Sequence, residues 1–325
     1  MLFTAGIISY VLFSAIVLIL FGLSILSSIN TGHYFMAVFK LIITFFLSYE
    51  VLNEWKVYLS GKRKVLSACK LTLDDLYIFL SVLAAGIFTY FLNHDLALGA
   101  VLASSAVGIF GAFVFKKYQI AIYCGSFAGM VASTVIDSYA GIIIVGIFTG
   151  LLFVVSKEVY KGFGGKLGAT AFFGTTVSAL VIGTFSSTVA SSEISIDYWL
   201  IVYFLVGSVG TFLIKEKTKA SAVLASAALG LIAALLLPVI HGDYGITLTI
   251  GLFCGTFAGM SSVDRLCSLR CVFMAGIIST IIFSYTQPYF NGLGGKLGAI
   301  AFGSSIASAG FLNFNRRFLK KGKNI

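Results

Sequence analysis

The sequence predicts an all-α polytopic membrane protein of about twelve transmembrane helices, with two inverted-topology five-helix repeats preceded by two extra helices. Three observations lead there. The 325-residue chain is 59% hydrophobic and only 10% charged, whereas soluble domains carry roughly 25% charged residues. Its apolar runs reach the length that crosses a bilayer. Its motifs recur in order along the chain.

Spans are expected near 3–28, 34–55, 76–93, 96–115, 119–136, 140–156, 167–190, 198–214, 220–240, 244–262, 271–286 and 297–314. Residues 2–29 are apolar for too long and lack the basic start of a cleavable signal, so they read as the first span. With the N-terminus inside, the loops 56–75, 116–118, 157–166, 215–219 and 263–270 and the tail after Phe314 hold 20 of the 22 Lys and Arg residues. The opposite loops hold His33, His94, His241, Asp95, Glu193, Asp197 and Asp243. Basic loops face the cytoplasm, so this asymmetry supports the span count and places both termini cytoplasmic. The expected location is a bacterial inner (plasma) membrane. The same asymmetry accounts for the +10 net charge without a nucleic-acid partner.

The repeat divides the chain. Tyr123-Cys124-Gly125-Ser126-Phe127-Ala128-Gly129-Met130 returns 130 residues later as Phe253-Cys254-Gly255-Thr256-Phe257-Ala258-Gly259-Met260. Gly164-Gly165-Lys166-Leu167-Gly168-Ala169 returns unchanged as Gly294-Gly295-Lys296-Leu297-Gly298-Ala299. Upstream, Ala100-Val101-Leu102-Ala103-Ser104 matches Ala222-Val223-Leu224-Ala225-Ser226 at an offset of 122, so eight residues are inserted between these two motifs in the second copy. The segments expected are 1–73 with two helices and a basic loop, 74–195 and 196–314 as the repeats, and a basic tail over 315–325. Five spans is an odd number, so the second copy starts on the opposite side and the halves are inverted. Lys296, the one external cation, is then put there by the repeat.

An inverted pair gives a central site approachable from both faces, which is the basis of alternating access and of symmetric pores. The two repeated motifs are the candidate path. In the first, Gly125, Ser126, Gly255 and Thr256 serve either close helix packing or a broken helix whose freed carbonyls and hydroxyls line a passage. In the second, the diglycines Gly164-Gly165 and Gly294-Gly295 each precede a helix start, where unpaired N–H groups and the dipole attract anions. Lys166 and Lys296 in that first turn oppose the dipole unless something anionic binds, or they reach lipid headgroups instead. Leu167 and Leu297 stand where a P-loop needs Ser or Thr. Hydroxyls follow each lysine: Thr170, Thr175, Thr176 and Ser178, then Ser304, Ser305 and Ser308. They can serve a solute or bond back to their own helix. Lys40 and Glu50 are intramembrane charges on the second helix. Asp137 sits at an external turn. No acidic chain crosses the core, which disfavours a carboxylate relay; sodium coupling through carbonyls and hydroxyls stays open.

In architecture alone, the ten-span inverted core resembles urea channels, ammonium channels and the leucine-transporter class, and no functional residue is carried over from them. The expectation is a channel or transporter for a small polar solute, an anion favoured, in a protein that meets lipid and is compatible with a homo-oligomer. An ion-coupled transporter of a neutral urea-like or amino-acid-like solute is the alternative. A non-transporting scaffold or a membrane-embedded enzyme comes after these. No HExxH, GxSxG or DxxD-type cluster argues for covalent chemistry. Cys267 and Cys271, one turn apart, lack ligating neighbours in sequence, so no metal or cofactor is expected.

Overall fold

The computed structural model of the chain describes residues 2–60, 72–185 and 196–321. Glu193, Lys62, Arg63, Lys64, Lys70 and Lys323, and the end of the span expected over 167–190, lie outside the described residues. The described residues form twelve α-helices and no strand. They are α1 (Leu2–Asn30), α2 (Tyr34–Leu59), α3 (Leu73–His94), α4 (Ala100–Val114), α5 (Gln119–Ala128), α6 (Tyr139–Val155), α7 (Lys166–Ile182), α8 (Tyr198–Thr218), α9 (Ala222–His241), α10 (Tyr244–Gly259), α11 (Leu269–Tyr285) and α12 (Lys296–Lys321). Six of them, α1, α2, α3, α8, α9 and α12, are long and apolar enough to cross a membrane. Large apolar side chains such as Phe35, Val239 and Leu73 cover the outside, as a lipid-facing surface requires.

Local chemistry sets the helix starts. Thr72 caps α3 in a reciprocal box with Asp75. Ser138, Asp197 and Ser221 cap α6, α8 and α9 by accepting N–H bonds two or three residues into each helix. Gly165 and Gly295 turn the chain into α7 and α12 at φ of 80° and 81°, in the region that suits glycine.

The fifth element departs from expectation. The sequence predicts a span over 119–136, but α5 stops at Ala128 after 10 residues, only about 15 Å of helix. The chain then continues without regular structure to Ser138. Tyr118 at its start bonds Asp74 at the beginning of α3 (3.1 Å), and Val131 O meets His94 Nε2 at the end of α3 (2.8 Å). A half-helix and an irregular stretch therefore run the full length of α3. The helix α10 and its exit repeat the arrangement beside α8: Tyr244 bonds Asp197 (2.7 Å) and Ser261 O accepts from Lys215 (2.5 Å).

The two copies touch through contacts that come in reciprocal pairs. Ala132 N donates to Gly292 O and Ser262 N donates to Gly162 O, both at 2.8 Å. Gly294 abuts the carbonyls of Phe127 and Ala128, and Gly164 those of Phe257 and Ala258. Gly165 lies on Phe302 N, Gly295 on Phe172 N, and Gly168 faces Gly298. Each member of a pair sits 130 residues from its counterpart. The first two turns of α7 and α12 are thus antiparallel neighbours crossing at Gly168 and Gly298. Gly165 lies level with Phe302 and Gly295 with Phe172, so the two helix starts are offset by only about 10 Å along the axis. Both diglycine turns reach toward the middle, from opposite ends: Lys166 contacts the 156–157 backbone next to the Lys157–Asp75 pair, while Gly292 meets the Ala132 segment beside His94.

The extra helices α1 and α2 pack on α12. At the crossing, a Cβ on Gly298 would stand 2.5 Å from Gly168 Cα, with only backbone to give way. Gly298→Ala is expected to cost about 1–3 kcal/mol and to lower the unfolding midpoint in detergent. Gly22→Ala, with nothing within 4 Å, should hold or raise it; equal midpoints for the two variants would contradict the packing.

Candidate functional site

The helices α5 and α10 form the centre, and most of their side chains are buried. Gly125 lets α5 lie on the Val82 carbonyl of α3, and Gly255 lets α10 lie on the Phe204 carbonyl of α8. The hydroxyls between these glycines have partners from the third repeated motif. Ser126 Oγ pairs with Ser104 Oγ at 2.9 Å and Thr256 Oγ1 with Ser226 Oγ at 2.8 Å. Tyr123, which replaces Phe253 of the second copy, adds its hydroxyl to Ser226 at 2.9 Å. Ser126 and Thr256 also donate to the carbonyls of Tyr123 and Phe253, at 2.9 and 2.6 Å. Tyr123, Phe127, Phe253 and Phe257 stack in one cluster, with neighbouring centroids 4.3–6.4 Å apart. Its members are at most 2% exposed, so the cluster is a shut partition between the halves.

A cavity of about 470 Å³ opens on one side of that partition. Phe127, Phe257 and Met260 line its inner part, and the first-copy turn Gly164-Gly165-Lys166 lines its wall. The starts of α5 and α9, at Gln119–Ala121 and Ser221–Val223, line it as well. Three helix N-termini therefore border one space, each with N–H groups that lack in-helix acceptors.

Four lysines border the cavity: Lys117, Lys157, Lys161 and Lys166. Lys117 pairs with Asp74 at 2.5 Å, Lys157 pairs with Asp75, and Lys161 pairs with Glu158 at 2.9 Å. The hydrogen bond that Lys117 makes to Asp74, then that with Tyr118, pushes the Lys117 pKa up, so this rim residue stays cationic. Lys166 alone of the four has no carboxylate partner among the described residues. Its ammonium donates to Ser156 O (2.5 Å) and Lys157 O (3.1 Å), just past the C-terminus of α6. Lys296 does the same after α11, donating to Thr286 O at 2.7 Å. Each lysine opposes the dipole of its own helix, and the negative end of the preceding helix offsets this. Ser156 Oγ and Gln119 Oε1, on residues that line the cavity, are buried with no hydrogen-bond partner among the described residues.

The remaining expected residues lie elsewhere. Thr175 donates to Phe172 O (3.0 Å) and across the repeat to Gly294 O (2.9 Å). Thr176, Ser304 and Ser305 bond back to their own helices at 2.6–2.8 Å, as do Thr170 and Ser178, while Ser308 reaches Cys271 O. Lys40 is fully buried, on Ser24 O (2.8 Å), Ser28 Oγ (2.5 Å) and the Tyr285 ring (3.1 Å to centroid). Glu50 faces Asn53 and Asn313 on the far side of α12. Asp137 is exposed at the turn before α6. Sequence reasoning missed Gln119, Ser156, Lys161 and the packing of Phe127 against Phe257; the repeated Phe within a run of small residues was the available signal.

Removing Ser226 takes away the partner of the Tyr123 hydroxyl, while Thr256 keeps its bond to Phe253 O. Ser226→Ala is expected to cost about 1–3 kcal/mol, more than Ser104→Ala, because Ser126 keeps its bond to Tyr123 O. Detergent unfolding of the two variants checks the order, and equal losses would contradict the network. No protein-family model, no curated protein and no solved structure matches this chain.

Proposed function

We propose that this protein is a membrane channel or transporter that moves a small polar solute, an anion in preference to a cation, along a path between two inverted repeats. The inversion draws support from the reciprocal contacts and from the two diglycine turns approaching from opposite ends of α3. On this reading the open side of the cavity is the face of the basic loops, which is the cytoplasmic face. The protein is a multi-pass inner-membrane protein with both ends on that side.

The observation that carries the solute preference is Lys166: a lysine with no carboxylate partner among the described residues, at a cavity bordered by three helix starts. Such an arrangement concentrates anions. The unpartnered Ser156 hydroxyl and Gln119 carbonyl favour a solute that also carries an O–H or N–H donor. They equally favour the second reading, a neutral solute moved with a coupling ion. The walls, with Ile78, Phe153, Phe163 and Val223, suit a small apolar body. The shut aromatic partition fits alternating access better than an open pore.

Uptake of labelled chloride, acetate and lactate into proteoliposomes tests this. Lys166→Gln keeps a donor for the α6 carbonyls but removes the charge. It should lower anion uptake about tenfold, equivalent to about 1.4 kcal/mol, while Lys161→Gln, at the exposed rim, changes it less than about twofold. Phe127→Ala with Phe257→Ala should raise passive leak of the same anions. Wild-type uptake in Lys166→Gln, or no uptake of any small solute by the wild-type protein, would remove the proposal.

A further inference from the structure

A second cavity, of about 390 Å³, lies between α2, α12 and the irregular segment that follows α10. It is a polar space, unlike the first. Two carboxylates one helical turn apart on α2, Glu50 and Glu54, border it with opposite solutions to burial. Glu54 is held by both arms of Arg265, at 2.6 and 3.2 Å, with the two side chains 7% and 9% exposed. That is a fixed ion pair.

Glu50 is 3% exposed and has no cation partner among the described residues. Asn313 Nδ2 of α12 donates to both its oxygens, at 2.9 and 3.0 Å, and Asn53 Nδ2 donates at 3.2 Å. The charges that face it are otherwise engaged. Arg265 belongs to Glu54; Arg316 of α12 donates to Cys267 Sγ at 3.0 Å; Arg317 lies over the Tyr49 ring at 5.6 Å. Asp264 from the irregular segment borders the same space, and Tyr10 of α1 donates to the Val51 backbone.

Neutral carboxamides differ from a cation in one decisive respect. They donate through N–H to a carboxylate, and after a flip they accept through C=O from a carboxylic acid. Glu50 therefore has partners in both protonation states, and the polar cavity beside it gives water and protons a way in. A buried intramembrane carboxylate of this kind is expensive and marks function.

We propose that Glu50 is an exchangeable proton site, filled and emptied from the face that carries the basic loops. The ionised form takes three amide bonds and ties α2 to α12 through Asn313. Protonation turns charge-assisted bonds into neutral ones, about half as strong, and loosens that tie. The same helix α12 carries Gly298 at the central crossing, so the proton acts on an element shared with the halves. The site stands independently of the anion cavity; on the transport reading above it supplies the coupling ion. A single carboxylate suffices, with no relay through the core.

Infrared difference spectroscopy of the full chain in liposomes, stepped from about pH 9 to about pH 5, reads the site without any solute. The wild type should gain a protonated-carboxyl band that Glu50→Gln lacks. Asn313→Leu removes a donor to the ionised form, so its band should titrate at higher pH, by about one unit or more. Glu50→Asp should keep a band at a changed midpoint, which covers the case in which Glu50→Gln does not fold. Identical difference spectra for wild type and Glu50→Gln would overturn the proposal. So would an unmoved midpoint in Asn313→Leu, or a band governed by sodium concentration instead of pH.

Discussion

The close backbone approach of Gly168 and Gly298 holds this architecture together. The first turns of α7 and α12 can lie side by side because neither glycine carries a Cβ, and Gly165 and Gly295 extend the approach on either side. Backbone contact at this range is the means by which membrane helices associate when lipid is as apolar as their side chains. Everything central is arranged about this crossing: the two diglycine turns, the carbonyl ends of α5 and α10 that they cover, and the cavity along the first turn. The reciprocal pairing of those contacts is what a two-fold relation between copies generates.

The crossing also explains how irregular backbone survives so deep in an apolar molecule. Non-helical chain at membrane depth is tolerated only when protein or a water-filled cavity satisfies it. The exits of α5 and α10 meet that condition through the Ala132–Gly292 and Ser262–Gly162 backbone bonds, with His94 and Lys215 on the carbonyls of Val131 and Ser261. A cation or imidazole at a helix exit is electrostatically favourable. The two copies solve the problem with different residues, imidazole after α5 and ammonium after α10.

Much of this was legible in the sequence, and the reasons are specific. Spacing of apolar runs located the helices, because length and hydropathy are local properties. The match of Ala100–Ser104 with Ala222–Ser226 marks the repeat in the sequence, but its structural use shows only in the fold, where Ser104 and Ser226 meet Ser126 and Thr256. The end of α5 was not legible. Gly129 and Gly259 occupy the same motif position, yet α5 stops at Ala128 and α10 at Gly259, and the exits are held by partners distant in sequence, such as Gly292 on Ala132 and Gly162 on Ser262. Lys166 and Lys296 looked frustrated in sequence because only their own helix is visible there; folding brings each beside the end of the helix before it. The Glu54–Arg265 pair spans 211 residues and leaves no local trace.

The central claim is the antiparallel duplication, and sidedness tests it most directly. Lys161 and Asn291 flank the two diglycine turns, both are exposed, and neither lies in the crossing. Single cysteines at these positions, in a background free of the native cysteines, can be challenged with a membrane-impermeant maleimide in intact cells and in inverted vesicles. The account predicts that the cysteine at 161 reacts only from the cytoplasmic side and the cysteine at 291 only from the opposite side. Reaction of both from the same side would contradict it.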